Sequence, residues 1–325
     1  MTSAAFDVLG IGNAIVDVIT HADDSFLTKH ALVKGSMTLI DEARAETLYG
    51  AMGPGVEISG GSCGNTIAGV ASFGGKGAYV GKVRNDQLGA VFGHDLRATG
   101  VTFDTAQATE GPSTARCLIV VTPDAQRTMN TYLGACTRLG PSDIDVAQVA
   151  AAQVTYVEGY LWDPPEAKKA VLKAFDAAHA AGRKVSITLS DSFCVDRYRD
   201  EFRALIRDKV DILFANESEI KSLYQVDSFE AALAAARAEN KICALTRSEK
   251  GSVVIKGGEI HAVPAAPVAR VVDTTGAGDL YAAGFLFGFT HGKPLAECAR
   301  LGGIAAAEVI SHVGARPEKA LKGLI

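Results

Sequence analysis

Residues 271–279 read Val-Val-Asp-Thr-Thr-Gly-Ala-Gly-Asp, and the apolar stretch Leu-Tyr-Ala-Ala-Gly-Phe-Leu-Phe follows directly at 280–287. The two valines predict a strand, the small residues after them a tight turn, and the apolar stretch a buried helix that begins at about Gly278. Alternation of strands and helices is the pattern of α/β proteins. This stretch therefore favours an α/β fold.

The C-terminal half of the chain repeats this alternation. Apolar, β-branched runs predict buried strands, and segments with helical spacing lie between some of them. One predicted strand, Phe6–Gly12, lies near the N-terminus. The other predicted strands are Val154–Val157, Val185–Leu189, Val210–Phe214, Ile242–Thr246 and Val253–Ile255, and the predicted helices are Pro165–Ala181 and Ser228–Glu239. Such alternation implies a mostly parallel central sheet with helices on both faces.

Two stretches break the alternation. Residues 13–40 contain two short alternating segments, and residues 114–133 predict two strands around a turn at 122–124. Neither stretch has an obvious helix to cover it, so we expect a small β-sheet that stands off the main domain as a lid. The predicted division assigns 1–12, 41–112 and 134–325 to a large α/β nucleotide-binding and catalytic domain, and 13–40 and 113–133 to the small β lid.

Composition and charge narrow the classes of partner. Hydrophobic residues make up 48% of the 325 residues and charged residues 21%, which is typical of a globular protein with a sizeable core. The formal net charge is −5, and the chain has neither a polybasic block nor an acidic tail. The sequence thus gives no reason to expect a nucleic acid or an anionic membrane as partner.

The cysteines and the N-terminus indicate a cytoplasmic protein. Six cysteines are scattered without a CxxC pair, which predicts buried free thiols rather than disulfides or a zinc site. Residues 1–7, Met-Thr-Ser-Ala-Ala-Phe-Asp, lack the basic and apolar regions of a signal peptide. No apolar run approaches the ~18 residues that a membrane span needs.

The turn before the predicted helix has the features of an anion site. Free N–H groups at a helix N-terminus attract phosphate, and small residues let a phosphate approach the backbone closely. Asp279, in the first turn of that helix, would accept the proton of an attacking hydroxyl while the backbone amides stabilise charge on the phosphoryl oxygens. The alternative is a tight turn in which Asp279 interacts only with the helix dipole.

Three further motifs place polar residues at turns. Residues 60–65, Gly-Gly-Ser-Cys-Gly-Asn, precede a helical stretch, and Asn65 offers both a donor and an acceptor to a sugar diol. After the strand that ends at Phe214, Asn216 predicts an N-cap with Glu219 as its capping-box partner. Residues 245–251, Leu-Thr-Arg-Ser-Glu-Lys-Gly, end another strand in a polar turn. Each motif on its own is also compatible with a purely structural role.

The string Asp-Thr-Thr-Gly-Ala-Gly-Asp resembles the signature of the ribokinase-like (PfkB) carbohydrate and nucleoside kinases. The resemblance implies a ribokinase-like fold, Asp279 as the catalytic base and Gly276, Ala277 and Gly278 as the anion hole. Thr275 is expected to contact the nucleotide together with Gly276 and Gly278. No Walker A motif is present, and a dinucleotide-binding dehydrogenase is a weak alternative because Ile15 occupies its third glycine position.

The same resemblance implies ATP and Mg²⁺ as cofactors. The Asn-x-x-Glu motif of the family acts on Mg²⁺ mainly through water, and here it consists of Asn216 and Glu219. Mg²⁺ prefers oxygen ligands and keeps several waters, so one carboxylate plus the nucleotide phosphates suffices. Thr246 and Gly251 are expected ATP contacts, although Ser248 replaces the first glycine of the family's Thr-x-Gly-x-x-Gly turn.

Arg127 lies in the predicted lid hairpin, and two interpretations of it stay open. It would neutralise charge on the transferring phosphoryl group when the lid closes, or it is a solvated hairpin arginine.

The acceptor side also resembles known kinases. The Gly-Gly pair of residues 60–65 matches the first family signature, which implies that Gly61, Ser62 and Asn65 hold the substrate. Residues 10–17, Gly-Ile-Gly-Asn-Ala-Ile-Val-Asp, resemble the N-terminal stretch of the adenosine kinases within this family. That likeness implies that Asn13 and Asp17 face the nucleoside, since a carboxylate can accept hydrogen bonds from two vicinal hydroxyls. The alternative is that Asp17 is simply a strand residue that faces outward into solvent.

Two aromatic residues follow predicted strands. Tyr160 and Phe193 match segments in which adenosine kinases carry aromatic residues against the purine, although aromatic residues at strand ends often serve core packing. The resemblance implies the reaction ATP + adenosine → ADP + AMP, with transfer to the 5′-hydroxyl. The rivals are a sugar kinase of the same fold, acting on ribose, fructose or an aldonate, and a catalytically silent binding protein. The preferred phosphate donor, a monovalent-cation requirement and the choice between monomer and homodimer stay open.

Overall fold

The fold is seen in a computed structural model that describes residues 4–124 and 126–325. Residues 1–3 of the predicted large domain and Ala125 of the predicted lid lie outside the described residues. The strands are β1 Phe6–Ile11, β2 Ile15–His21, β3 Met37–Leu39, β4 Gly55–Ser59, β5 Gly77–Val80, β6 Thr102–Phe103, β7 Ala115–Val121, β8 Arg127–Tyr132, β9 Ala152–Glu158, β10 Lys184–Thr188, β11 Ile212–Asn216, β12 Ile242–Thr246, β13 Ser252–Lys256 and β14 Glu259–Val263.

The α-helices alternate with these strands over most of the described chain. They are α1 Asp24–Lys29, α2 Glu42–Ala51, α3 Ser62–Ser72, α4 Gln87–Ala98, α5 Val146–Ala150, α6 Pro165–Ala180, α7 Ser192–Asp208, α8 Glu217–Tyr224, α9 Phe229–Ala238, α10 Ala277–Thr290 and α11 Leu295–Val309. None of the helices in the described ranges is long and apolar enough to cross a membrane. The six cysteines are buried free thiols.

A nine-stranded sheet forms the centre of the molecule. Its order is β14-β13-β12-β11-β10-β9-β1-β5-β6, and the seven strands from β12 to β6 are parallel. At one edge, β13 pairs antiparallel with both β12 and β14. Helices α3, α10 and α11 contribute to the apolar core on one face and α6 to α9 to that on the other. The predicted α/β class with a mostly parallel sheet is confirmed.

A five-stranded sheet of order β3-β8-β7-β2-β4 lies beside the larger one. Its strands include the two stretches in which the sequence predicted a small sheet, and β4 is an additional strand. Because β4 pairs antiparallel with β2, residues 55–59 belong to the small sheet and not to the large domain, to which the range 41–112 assigned them. Helix α2 packs on β7 and β8, so the small sheet also has helical cover that the sequence did not reveal.

The predicted strand before the Gly-Ala-Gly turn is wrong. No strand forms between β14 and α10, and Val271 is 57% exposed. The backbone here runs along the end of α11, where the Val272 N–H donates to the Ile310 carbonyl at 2.8 Å. Two valines favour a strand only where a neighbouring strand can pair with them, and none does so here. Helix α10 itself begins at Ala277, one residue before the predicted start.

Candidate active site

The turn before α10 is held by the carboxylate of Asp273. Its Oδ1 accepts hydrogen bonds from the Thr275 N–H at 2.9 Å and from the Thr275 hydroxyl at 2.7 Å, and its Oδ2 accepts one from the Gly314 N–H at 2.9 Å. Arg127 forms an ion pair with the same Oδ2. Thr275, predicted to contact the nucleotide, therefore bonds to the turn itself in this structure.

Gly276 is the N-cap of α10 and has a left-handed backbone with φ of 77°. A side chain at this position would also collide with Ala315, so only glycine fits here. The Ala277 N–H donates to the Thr274 carbonyl at 3.2 Å. Apart from this bond, the first N–H groups of a helix such as α10 have no acceptor within the helix, which is the basis of an anion site at a helix N-terminus.

Asp279 is the third residue of α10 and faces the start of α3. Its Oδ1 accepts a hydrogen bond from the Ser62 hydroxyl at 2.6 Å, and its Oδ2 accepts one from the Asn65 side-chain amide at 3.0 Å. Burial raises the pKa of Asp279 above the usual aspartate value, and the two hydrogen bonds and the charge of Arg316 oppose that rise. A carboxylate in this state can take up a proton more readily than a solvated one.

A cavity of about 210 Å³ connects Asp279 with the carboxyl ends of the central strands. It brings together eight residues that the sequence assigned to catalysis, substrate, nucleotide or metal: Ser62, Asn216, Glu219, Thr246, Gly276, Ala277, Gly278 and Asp279. Ligands of open α/β sheets bind at this end of the strands. Thr275 and Gly251 do not line the cavity; Gly251 has φ of 82° and closes the turn before β13.

Asn216 and Glu219 form the predicted capping box at the start of α8. The Glu219 N–H donates to Asn216 Oδ1 at 2.9 Å, and the Asn216 N–H donates to Glu219 Oε2 at 3.0 Å. Burial raises the pKa of Glu219 to about 7; the hydrogen bond from the Asn216 backbone opposes the rise, and the negative charges of Asp191 and Asp279 add to it. The predicted capping box is thus confirmed.

The donor chemistry around Glu219 is compatible with Mg²⁺. Glu219 is 5% exposed, lines the cavity and is influenced by two other carboxylates, so a cation nearby would relieve the repulsion between them. Within the described ranges no group of three or more His, Cys, Asp or Glu side chains forms a complete metal site. One carboxylate completed by nucleotide phosphates and water is the arrangement that Mg²⁺ usually adopts.

Two predicted substrate motifs meet where α3 begins. A side chain at Gly60 would overlap the Asp17 carboxylate, and one at Gly61, where φ is 80°, would overlap the Asn13 carbonyl. The Gly-Gly pair is therefore needed for the close approach of β2 and α3. It brings Asn13 and Asp17 beside Ser62.

Asn13 is held by a residue that sequence reasoning missed. Glu158 accepts hydrogen bonds from the Asn13 N–H at 3.0 Å, from the Asn13 side-chain amide at 2.7 Å and from the Cys63 N–H at 2.9 Å. Burial raises the pKa of Glu158 to about 7, against the effect of these hydrogen bonds. Glu158 sits in a strand between Val157 and Gly159, and no pattern in the sequence marked it.

Asp17 is influenced by the charges of two arginines. Burial raises its pKa to about 6, the charges of Arg127 and Arg316 oppose that rise, and Asp279 adds to it. Asp17 is half-buried on β2, so it is not the outward-facing solvated residue of the alternative interpretation. Arg127 is not solvated either, because its side chain is 8% exposed in the pair with Asp273.

The two predicted aromatic residues differ in environment. Tyr160 follows β9, is half-buried and has its hydroxyl 3.5 Å from the Ser190 carbonyl. Phe193, in the first turn of α7, is 75% exposed, so it does not serve core packing. Neither ring lines the cavity that contains Asp279.

The chain resembles known proteins in family, in sequence and in structure. Residues 37–320 match the model of the pfkB family carbohydrate kinases. Adenosine kinase 1 from Arabidopsis thaliana is 28% identical over 98% of this chain and 99% of that protein.

Two solved structures are much more similar. A probable sugar kinase protein from Rhizobium etli CFN 42 is 55% identical with a TM-score of 0.92. The adenosine kinase from Sinorhizobium meliloti is 56% identical with a TM-score of 0.91. Each comparison covers 99% of this chain and 98% of the other. The chain is thus a phosphotransferase with an alcohol group as acceptor, and it belongs to the pfkB family of carbohydrate kinases, with the ribokinase-like fold.

Proposed function

We propose that this protein transfers the γ-phosphoryl group of ATP to the 5′-hydroxyl of adenosine, which yields ADP and AMP. The observation that carries the proposal is the position of Asp279. Its carboxylate is held by Ser62 and Asn65 from the predicted substrate motif, and it lines the same cavity as Glu219 and the Gly-Ala-Gly turn. The adjacency of these side chains supports the proposal, because in-line transfer requires acceptor, base and phosphate to lie side by side.

In this mechanism Asp279 accepts the proton of the 5′-hydroxyl as the oxygen attacks the γ-phosphorus. The bond from phosphorus to the bridging oxygen breaks, and ADP leaves. Backbone N–H groups of Gly276, Ala277 and Gly278 stabilise the charge on the transferring oxygens. The raised pKa of Asp279 makes it a stronger base than a solvated aspartate, which suits this role.

The nucleotide side of the mechanism depends on the carboxyl ends of β11 and β12. Asn216 and Thr246 line the cavity there and are proposed ATP contacts. Thr275 and Gly251, which do not line it, are proposed as further ATP contacts. Glu219 would hold Mg²⁺, mainly through water, and the ion would neutralise part of the phosphate charge. Arg127 would neutralise charge on the transferring phosphoryl group once it no longer pairs with Asp273.

The acceptor side of the mechanism involves residues from β2, α3 and two loops. Asp17 and Asn65 would bind the ribose hydroxyls, with Asn13, Gly61 and Ser62 around them. Tyr160 and Phe193 would flank the purine, and the high exposure of Phe193 suits a ring that becomes covered only when a base binds. The small sheet would close over the nucleoside and exclude water.

A second candidate function is that of a sugar kinase, which would use the same residues for catalysis. The Rhizobium etli neighbour, described as a probable sugar kinase protein at 55% identity, favours it. Asp17 and Asn65 would then bind a sugar diol, and the aromatic residues would have no base to contact.

A coupled assay of ADP release separates the candidates. Purified protein with ATP and Mg²⁺ is offered adenosine, inosine, guanosine, ribose and fructose at equal concentrations. We expect the highest kcat/KM with adenosine. A preference for ribose or fructose would establish the sugar kinase instead, and no transfer to any acceptor would contradict both.

A further inference from the structure

Arg316, in the loop after α11, contacts a residue that itself bonds to Asp279. Its Nε donates to Asn65 Oδ1 at 2.9 Å, and its Nη2 donates to the Ser59 carbonyl at 2.8 Å and to the Ser59 hydroxyl at 3.0 Å. No motif in the sequence pointed to this arginine. It joins the C-terminal loop to the end of β4 and to α3.

The hydrogen bond from Arg316 decides which way the Asn65 amide points. An amide has one oxygen that accepts and one nitrogen that donates, whereas a guanidinium only donates. Because Arg316 binds the oxygen, the nitrogen is directed at Asp279 Oδ2, 3.0 Å away. The opposite orientation would set a carbonyl oxygen against the carboxylate and a nitrogen against the guanidinium.

Helix α4 holds Ser59, which accepts a hydrogen bond from the guanidinium. Asp95 Oδ2 accepts hydrogen bonds from the Ser59 N–H at 2.8 Å and from the Ser59 hydroxyl at 2.5 Å, and its charge acts on Arg316. Asp95, Ser59, Arg316, Asn65 and Asp279 thus form one continuous polar chain.

The arrangement is not optimal for stability. The Nη1 atom of Arg316 is buried and makes no hydrogen bond to the described residues. A buried donor without a protein acceptor costs free energy, which offsets part of what the other hydrogen bonds of Arg316 contribute to stability.

We infer that Arg316 is a positioning residue for phosphoryl transfer, because it holds the Asn65 amide in the orientation that donates to Asp279 and keeps that carboxylate ionised and aimed at the acceptor. The inference rests on the proposed function in one respect, namely that Asp279 is the base.

The consequence for pH dependence follows from the surroundings of Asp279. Burial raises the pKa of Asp279, and the charge of Arg316 and the hydrogen bond from Asn65 oppose that rise. Without Arg316 the carboxylate loses the nearby charge and the fixed donor, so its pKa should rise further. A base works only when it is deprotonated. As the solution is acidified, the variant would therefore lose its activity at a higher pH than the wild type does. The other titratable groups that interact with Asp279 remain in place: Asp17, Cys63, Tyr156, Glu158, Tyr160 and Glu219.

The test compares Arg316→Met and Arg316→Lys with the wild type over a range of pH. Arg199→Met is the matched control, because Arg199 also donates Nε to a carbonyl, that of Ser222 at 2.9 Å, but lies on α7 away from the cavity. We expect Arg316→Met to lower kcat roughly 10- to 100-fold, the usual effect of removing a residue that orients a functional one. The acid limb of its pH profile should move to higher pH. Arg316→Lys keeps the positive charge, so the acid limb of its pH profile should move less than that of Arg316→Met.

Two further measurements distinguish orientation from general damage. If Arg316 acts through Asn65, the losses in kcat of Arg316→Met and Asn65→Ala should not add in the double variant. If Arg316→Met does not fold, Arg316→Lys replaces it in the cycle. A folded Arg316→Met protein with wild-type kcat and an unmoved acid limb, or strictly additive losses, would overturn the inference.

A carboxyl ¹³C NMR titration of Asp279 makes this test independent of the acceptor. In the absence of any substrate, the midpoint for Asp279 should lie at higher pH in the Arg316 variant than in the wild type. An unchanged midpoint contradicts the role of Arg316 even if the wild type phosphorylates adenosine. A wild type that phosphorylates no acceptor contradicts the proposed function, while the titration still decides the effect of Arg316 on Asp279.

Discussion

Arg127 on β8 of the small sheet forms an ion pair with Asp273, which begins the Asp-Thr-Thr-Gly-Ala-Gly-Asp turn, and both side chains are 8% exposed. The pair connects the small sheet directly to the turn that precedes α10. Since Asp273 also accepts hydrogen bonds from Thr275 and Gly314, one carboxylate joins the small sheet, the turn and the C-terminal loop. Any movement of the small sheet would therefore act directly on the turn that precedes α10.

This coupling predicts that the nucleoside orders the small sheet. Adenosine would bind between Asp17 and α10, so residues 13–40 and 113–133 should exchange amide hydrogens more slowly in the complex. Hydrogen–deuterium exchange with mass spectrometry measures this, with α6 on the far face of the central sheet as internal reference. Protection restricted to the central sheet and its helices would mean that the small sheet does not close.

Replacement of the proposed base should stop the chemistry while substrate still binds. Asp279→Asn keeps the shape and can still accept the hydrogen bond from Ser62, but it cannot take up the proton. We expect kcat to fall by ~10²–10⁴, with the dissociation constant for adenosine in calorimetry little changed. Near-normal turnover of the folded variant would exclude Asp279 as the base.

Loss of charge at Glu219 should weaken the use of Mg²⁺. Glu219→Gln retains a polar side chain for the capping box with Asn216 but provides no negative charge for the ion. The Mg²⁺ concentration that gives half the maximal rate should rise, while circular dichroism shows the helix content unchanged. An identical Mg²⁺ titration would leave Glu219 with capping alone.

The same variant should change how stability depends on pH. The pKa of Glu219 is about 7 in the folded protein against 4.5 for an ordinary glutamate, so the folded state binds its proton more tightly and loses stability as pH rises between these values. Glutamine does not ionise. The free energy of unfolding of Glu219→Gln relative to the wild type should therefore rise by on the order of 2 kcal/mol from pH 5 to pH 8. Urea unfolding at each pH measures it; a constant difference would contradict the raised pKa.

The aromatic residues should affect nucleosides and not free sugars. Base–aromatic stacking contributes ~1–3 kcal/mol per base in nucleic-acid-binding proteins, so Tyr160→Ala or Phe193→Ala should lower kcat/KM for adenosine by roughly 5- to 150-fold. Any activity on ribose should hardly change in these variants, whereas Asp17→Ala should lower both. Equal losses on adenosine and ribose in the aromatic variants would show that the rings do not contact the base.

Local features were readable from the sequence alone. The Gly-Ala-Gly turn with its helix, the capping box of Asn216 and Glu219, and most strands of the central sheet depend on residues a few positions apart. Hydrophobic periodicity and turn chemistry report such short-range order directly. The family signature added the expected roles of Asp279 and its neighbours.

The assembly of the site was decided by tertiary structure. Ser62 and Asp279 are 217 positions apart, and Arg316 and Asn65 are 251 apart. Likewise β4 joins the small sheet because β2 offers it an edge, and Val271 forms no strand because no neighbour pairs with it. Such partners depend on how the two sheets and the C-terminal loop pack together. Side-chain patterns along the chain do not specify these particular partners, because hydrogen bonds between distant segments form only once the core has brought them together.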